Sequence, residues 1–280
     1  MLLELAIGDA YGAGFEYADE MLPHNDLSGY VQHPRHHSIR AGMYTDDTQM
    51  SVAIAEHIVS GNDWTPENIA DCFVICFKRD QRTGYAGRFY EFLKSVPDGA
   101  TFLEQIRPES DKSGAAMRAA PIGVYPTVDE VLEKCRIQAA VTHNTPDGIA
   151  AAQAAALMAH YFIYDLGAKA DLGRWLNTQV KSHHNWYTPY EGKVKSKGWM
   201  SVRAAITATM RNDSLSTLLR DCIAFKGDVD TVATIALAAS AHSREYEQNL
   251  PVNLLDALEN GPFGHDYLVQ LDAKLMALVQ

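Results

Sequence analysis

Thr45-Asp46-Asp47-Thr48-Gln49-Met50-Ser51-Val52-Ala53-Ile54-Ala55-Glu56-His57-Ile58-Val59, with Gly61 close behind, is the stretch whose reading decides the fold. Its small and apolar residues carry helical spacing, the threonine and aspartates supply a helix start, and Gly61 supplies a stop. A helix start needs only one N-cap and one acidic residue in the first turn. Two adjacent aspartates bracketed by two threonines are more oxygen than capping requires. The pattern returns far downstream as Gly227-Asp228-Val229-Asp230-Thr231, again ahead of an alanine-rich helical segment. The two stretches are expected to converge into one metal site built where two helices begin.

Working outward, other segments read as helix. Thr65-Pro66 opens a second helix through Cys72, Cys76 and Phe77, with Pro66 suited to the first helical position. Thr127-Val128-Asp129-Glu130 is a capping box for a helix expected to reach about Thr142. Thr145-Pro146 starts another, toward Tyr164, which leaves His143 at a helix–helix junction. Helical pattern resumes at Ser201–Met210 and Ser214–Phe225, and short helices are expected at Leu254–Leu258 and Tyr267–Leu278. Gly167–Gly198, with Trp175, His183, His184 and Trp186, reads as an irregular, partly exposed excursion. Runs with the period-two alternation of strands are scarce. The expected architecture is all-α, one domain over residues 1–280, without repeats or low-complexity linkers, although the chain exceeds the usual ~100–200 residues per domain.

Composition narrows the function. Nearly half the chain, 47%, is hydrophobic, and 35 acidic against 24 basic residues give a formal charge of −11. That balance opposes a broad electrostatic grip on nucleic acid or anionic membrane and suits a protein that concentrates carboxylates to hold cations. The four cysteines read as free thiols of a reducing cytosol, because Cys72 and Cys76 share a helix face in a poor zinc-knuckle arrangement. Met1-Leu2-Leu3-Glu4 has no basic leader, and no apolar run of about 20 residues appears, so a cytoplasmic protein is expected.

The loops offer weaker signals. Gly8, Gly12 and Gly14 permit close backbone approach around Asp9 and precede Glu16, as a packed helix end or as a site wall. His33-Pro34-Arg35-His36-His37 reads as an exposed basic loop or a cover for a pocket. Lys78 to Arg88 is basic and glycine-broken, fit either to meet an anionic substrate or to end a helix in solvent. Ser113-Gly114-Ala115-Ala116-Met117-Arg118 is dominated by small residues that bring backbone N–H groups close to a phosphate or to another helix.

Aspartate carboxylates and threonine hydroxyls are hard oxygen ligands suited to Mg²⁺, Mn²⁺ or Ca²⁺. Four aspartates neutralise two divalent ions, a known catalytic arrangement. The positive end of each helix is expected to keep these aspartates ionised. The spacing is not that of an EF-hand, a Walker loop or H-E-x-x-H.

Gly8-Asp9-x-x-Gly12-x-x-x-Glu16, Thr45-Asp46-Asp47-Thr48, Ser113-Gly114-x-x-Met117-Arg118 and Gly227-Asp228-x-Asp230-Thr231, in this order along the whole chain, resemble the ADP-ribosylglycohydrolases. The resemblance implies an all-α, roughly orthogonal multi-helix bundle with two Mg²⁺ or Mn²⁺ ions in a central cleft. It implies that Thr45, Asp46 and Asp47 hold one ion and Asp228, Asp230 and Thr231 the other, with Asp230 bridging. Glu16 matches a mobile glutamate near the metals; Ser113, Gly114 and Met117 match a diphosphate loop; His143 matches a ligand-contacting histidine. The implied reaction is hydrolysis of the bond between ADP-ribose C1″ and an acceptor, most often arginine on a protein, with the base left open among Asp46, Asp47, Glu16 and Asp230. Competing readings are a catalytically inactive ADP-ribose-binding relative, a hydrolase of another acceptor (serine, a nucleic-acid base or a small ADP-ribosyl molecule), and an unrelated metal phosphohydrolase. Two departures stand out: Lys226 where the family often has a second glycine, and Ser240-Ala241-His242-Ser243-Arg244 where a glycine turn is expected.

Overall fold

A computed structural model describes residues 1–279. Its helices are α1 (Leu2–Gly12), α2 (Asp46–Ser60), α3 (Pro66–Arg79), α4 (Gly87–Ser95), α5 (Gly99–Gln105), α6 (Gly114–Met117) and α7 (Val128–Ala140). They continue as α8 (Pro146–Ile163), α9 (Leu172–Gln179), α10 (Gly198–Arg211), α11 (Leu215–Ala224), α12 (Val229–Ser240), α13 (Val252–Ala257) and α14 (His265–Met276). No sheet forms among the described residues, where strand-like pairing is confined to isolated bridges such as Lys112 with Lys197 and Val194 with Gly227. The all-α expectation holds.

Local chemistry sets several helix starts. The side chains of Thr65, Thr127, Thr145 and Ser214 accept from the backbone N–H groups of Asn68, Glu130, Gly148 and Thr217, which opens α3, α7, α8 and α11. Each such cap contributes about 1 kcal/mol. Thr127 also donates its hydroxyl to the Glu130 carboxylate at 2.8 Å, so the box is closed between side chains. α2 ends where Gly61 turns left-handed at φ 68°. α7 stops at Ala140, short of Thr142, because the N–H groups of Thr142 and His143 both turn back to the Ala139 carbonyl.

α12 is the axis of the molecule. All of its residues are buried, and α1, α8, α10 and α11 pack around it. Fully buried Val, Ile and Leu side chains each contribute about 1.5–3 kcal/mol, so Val232, Ile235 and Leu237 anchor it firmly. α1 lies closest: a Cβ at Gly8 would stand 2.8 Å from the Ala233 backbone, and one at Gly12 would collide with the Asp230 backbone. These glycines bring the two helix axes together where the metal site was expected.

Three loop readings are corrected. Residues 167–198 contain α9, whose Leu172 and Leu176 are buried, and Trp186 is only 1% exposed; Asn177 accepts from the Trp186 N–H at 2.7 Å and folds the segment back on itself. Arg35, His36 and His37 are exposed as read, but His33 is buried, its Nε2 bonded to the Glu16 carbonyl at 2.8 Å and its Nδ1 accepting from the N–H groups of Arg35 and His36. Of the arginines in the basic stretch, Arg82 serves the interior, buried between Asp80 and Glu259 with its guanidinium over Tyr44, whereas Arg79, the last residue of α3, is exposed, pairs with Glu56 and lies over Phe263.

Candidate metal centre and its cavity

Two helix N-termini meet beside α1. At the start of α2, Thr45 occupies the N-cap but its side chain makes no capping bond. Asp9 of α1 does this from outside. Its Oδ2 accepts from the N–H groups of Thr45 and Thr48, both at 2.9 Å, and from the Thr48 hydroxyl at 2.6 Å. Its Oδ1 accepts from the Thr45 hydroxyl at 2.7 Å. The N–H groups of Thr45 and Thr48 are thereby satisfied from outside the helix, and Asp46 and Asp47 keep carboxylates that this cap does not use. α12 begins alike: Asp228 is its N-cap, again without a side-chain capping bond. Asp228 instead accepts from Ser201 at 3.1 Å and Thr231 at 3.4 Å. The turn into α12 depends on Gly227, at φ 89°, where a Cβ would collide with the Val194 carbonyl. Its own carbonyl accepts from the Tyr17 N–H at 2.9 Å, which draws Glu16 to Asp228.

The carboxylates of Glu16, Asp228 and Asp230 each place an oxygen within 4.8 Å of the other two. Asp46 and Asp47 line the same cavity, of about 330 Å³, with Ser113, Gly114, Met117, His143 and Thr231. Of the residues expected from sequence only Thr45 does not line it; Thr45 is buried, with its hydroxyl turned to Asp9. Among the described residues no lysine, arginine or histidine forms an ion pair with any of the five carboxylates. Asp47 Oδ1 and Asp230 Oδ1 are buried with no hydrogen-bond partner.

The charge state follows from this crowding. Burial, then neighbouring carboxylates, pushes Asp46, Asp47 and Asp230 well above the usual carboxylate range. Asp228 is raised by burial against the opposing hydrogen bonds of Ser113, Ser201 and Thr231. Burial, Asp228 and Asp9 raise Glu16 to about 8. For the metal-free chain, the expectation that helix dipoles keep these groups ionised is therefore corrected. A helix end contributes ~0.3–1 kcal/mol, less than the desolvation and mutual repulsion of five clustered carboxylates.

This donor set fits hard divalent cations. Orphaned, buried carboxylate oxygens from two helix starts, with no cationic side chain paired to them, are what Mg²⁺ or Mn²⁺ requires. The opposite wall differs in character. Gly114 lies against the His143 ring, where an added Cβ would stand 3.0 Å from Cε1. Burial, with Arg118 and Lys112 nearby, pulls the His143 pKa down to about 3, so the imidazole is neutral. Its Nδ1 lies 2.6 Å from the Thr142 hydroxyl, which accepts from Arg118 at 2.8 Å. Arg118, buried over Phe73 and bonded to Gln138, holds this corner.

Sequence reasoning quoted Asp9 and Arg118 within motifs but gave neither a role, and it missed Lys112, Ser196 and Ser201. Lys112 and Ser196 line the cavity, and Ser201 holds Asp228. A glycine-flanked acid in the first apolar helix was a signal for Asp9; Ser201 offered none, being one small residue on a buried helix.

The profile of the ADP-ribosylglycohydrolase family matches residues 1–280. ADP-ribosylhydrolase ARH3 of Xenopus tropicalis is 24% identical, the match covering 90% of this chain and 88% of the relative. ADP-ribosyl-[dinitrogen reductase] glycohydrolase of Rhodospirillum rubrum is 25% identical over 84% and 81%. ADP-ribosylarginine hydrolase Tri1 of Pseudomonas putida is 21% identical over 84% and 67%. A solved structure described as an ADP-ribosylglycohydrolase-related protein complex shares the fold, with a TM-score of 0.68 at 21% identity, covering 99% of this chain and 95% of that one.

Proposed function

Since the chain belongs to the ADP-ribosylglycohydrolase family of hydrolases, we propose that it is a binuclear-metal-dependent enzyme releasing ADP-ribose from ADP-ribosylated arginine on protein. The observation that carries this reading is the convergence of Glu16, Asp228 and Asp230 within 4.8 Å, in a cavity that Asp46 and Asp47 also line. Two Mg²⁺ or Mn²⁺ ions, held by Asp46, Asp47, Asp228, Asp230 and Thr231, would supply positive charge at the distal ribose hydroxyls, while Thr45, expected from sequence as a ligand, binds Asp9 instead.

The chain's own residues account for the rest. Ser113 and Gly114, with Lys112 in the same lining, receive the diphosphate; Met117 lines the cavity with them, and Phe89 and Ile106 give an apolar wall for the purine. Neutral His143 positions the substrate by hydrogen bonding and brings no charge of its own. The water oxygen bonds to C1″ as the bond from C1″ to the acceptor nitrogen breaks. Asp47 and Asp230, which line the cavity, would stabilise the positive charge that develops at the oxocarbenium-like carbon. Glu16 takes the water proton on its carboxylate, being the one acid of the group that lies outside a helix start. Arginine is favoured as acceptor because a guanidinium complements an anionic wall, and one relative is by name an ADP-ribosylarginine hydrolase.

A panel of arginine-, serine- and base-linked ADP-ribose substrates, assayed with Mg²⁺ or Mn²⁺ and with chelator, tests the reading. Release from arginine should be fastest and lost with chelator. Asp46→Ala and Asp230→Ala should each lower kcat by about 10³-fold. Near-normal turnover by either folded variant would overturn the metal assignment. Tight ADP-ribose binding with no release from any substrate would identify a non-catalytic relative.

A further inference from the structure

Outside the acidic cavity, three metal-ligating side chains gather at the start of α8. Asp147 stands in its first turn, and His183 and His184 lie in the loop that follows α9. His184 Nε2 is 3.1 Å and His183 Nδ1 3.6 Å from the same oxygen, Asp147 Oδ1. The three ligand atoms all lie within 4.8 Å of one another. His184 is only 9% exposed, and its Nε2 is buried with no aligned hydrogen-bond partner despite the nearby carboxylate. Its ring is held in place, stacked on Trp199 with centroids 4.6 Å apart and 18° between planes. Among the described residues no lysine or arginine forms an ion pair with Asp147.

We propose that Asp147, His183 and His184 form a second metal site, for a late first-row divalent cation of the Zn²⁺ class, with water completing the coordination. Ligand geometry supports this. Zinc–ligand distances of ~2.0–2.1 Å in a tetrahedron place neighbouring ligand atoms about 3.3 Å apart. The two nitrogen–oxygen separations, 3.1 and 3.6 Å, straddle that value. The 3.6 Å contact is too long for a hydrogen bond, and the 3.1 Å contact is misaligned for one, whereas two ligands that share an ion stand off each other's axis. Consecutive histidines that present Nδ1 from one ring and Nε2 from the next can both reach one ion.

Donor chemistry separates this site from the carboxylate cavity. Two imidazoles and one carboxylate select Zn²⁺, Ni²⁺ or Cu²⁺ over Mg²⁺, whereas an all-oxygen set does not discriminate against Mg²⁺ in this way. The site would also brace the structure. It ties the loop after α9 to the helix start next to His143, since Gly148, the residue after Asp147, lies against the His143 Cβ.

Zn²⁺ titration of the metal-free chain by calorimetry, in excess Mg²⁺ to occupy the carboxylate cavity, tests the proposal. Wild type should take up one Zn²⁺ equivalent more than His183→Ala, a variant at an exposed side chain that should leave the fold intact. Asp147→Asn should weaken the same event by about 100-fold or more, beyond the loss that follows removal of a ligand's supporting partner. Asp230→Asn should retain it, which keeps this result separate from the fate of the proposed hydrolase activity. Zn²⁺ should raise the thermal midpoint of wild type and leave that of His183→Ala unmoved. Equal Zn²⁺ uptake by wild type and His183→Ala, or loss of the event only in Asp230→Asn, would overturn the site and reduce the cluster to a His–Asp contact.

Discussion

Asp9 shows how one side chain settles the purpose of four others. It is fully buried, and all of its hydrogen bonds go to the first turn of α2. Because the cap comes from another helix, Asp46 and Asp47 keep free carboxylates at a position where one acid would otherwise serve the helix. Asp9→Ala would leave two buried N–H groups and two hydroxyls without acceptors, at a cost of about 2–4 kcal/mol. Chemical denaturation should show that loss, and calorimetry should show weaker Mn²⁺ binding, because the first turn of α2 would no longer be held. Unchanged stability would mean that Thr45 caps its own helix. The surplus of oxygen in Thr45-Asp46-Asp47-Thr48 was legible in sequence because capping is local and has a known demand. The identity of the substitute cap was not, because a hydrogen bond between residues so distant in the chain leaves no periodic trace.

At the scale of elements, the turn between α11 and α12 aims Asp228 and Asp230. Lys226 and Gly227 are both left-handed, at φ 64° and 89°. The departure noted in sequence, a lysine where the family often has a glycine, therefore falls on a residue whose backbone would suit glycine. A non-glycine residue in this region costs about 1–2 kcal/mol. Lys226→Gly recovers that strain less the added entropy of the unfolded chain, and should stabilise the protein by about 0.5–1 kcal/mol. A parallel rise in the urea midpoint at unchanged slope would verify it; a fall would show that the lysine side chain contributes more than its backbone costs. Helix starts were readable wherever a threonine or serine capped its own helix, as at α3, α7, α8 and α11. α9 and the burial of Arg82 were not, because tertiary packing decides them. Leu172 and Leu176 offer a short apolar face among polar residues, and Arg82 takes its partners Tyr44 and Glu259 from distant segments.

For the whole molecule, the buried acids make stability depend on metal and pH together. α12 lies at the centre of one continuous hydrophobic core, and its first turn carries Asp230 into the cavity, so repulsion there acts on the best-packed part of the fold. Glu16 provides the window. Its pKa rises from 4.5 to about 8 on folding, through burial, Asp228 and Asp9. Without metal, the folded chain therefore binds a proton at pH 6 that the unfolded chain has released. Such a group contributes stability that is full below about pH 4.5 and is lost as pH climbs through 8, at up to about 1.4 kcal/mol per pH unit. Asp46, Asp47 and Asp230, shifted in the same direction, add to the slope. Divalent ions reverse the balance: they favour the ionised carboxylates and bind the folded state, and their affinity rises with pH as protons leave. Denaturation of the chelated protein should show stability falling by at least ~1 kcal/mol between pH 5 and pH 8. With saturating Mg²⁺ or Mn²⁺ the same scan should be flat or rising. In Glu16→Gln the chelated slope should shrink without vanishing, since the aspartates remain. A metal-free protein that grows more stable from pH 5 to pH 8 would mean that the five acids are screened from one another, and the convergence on which the metal centre rests would fail.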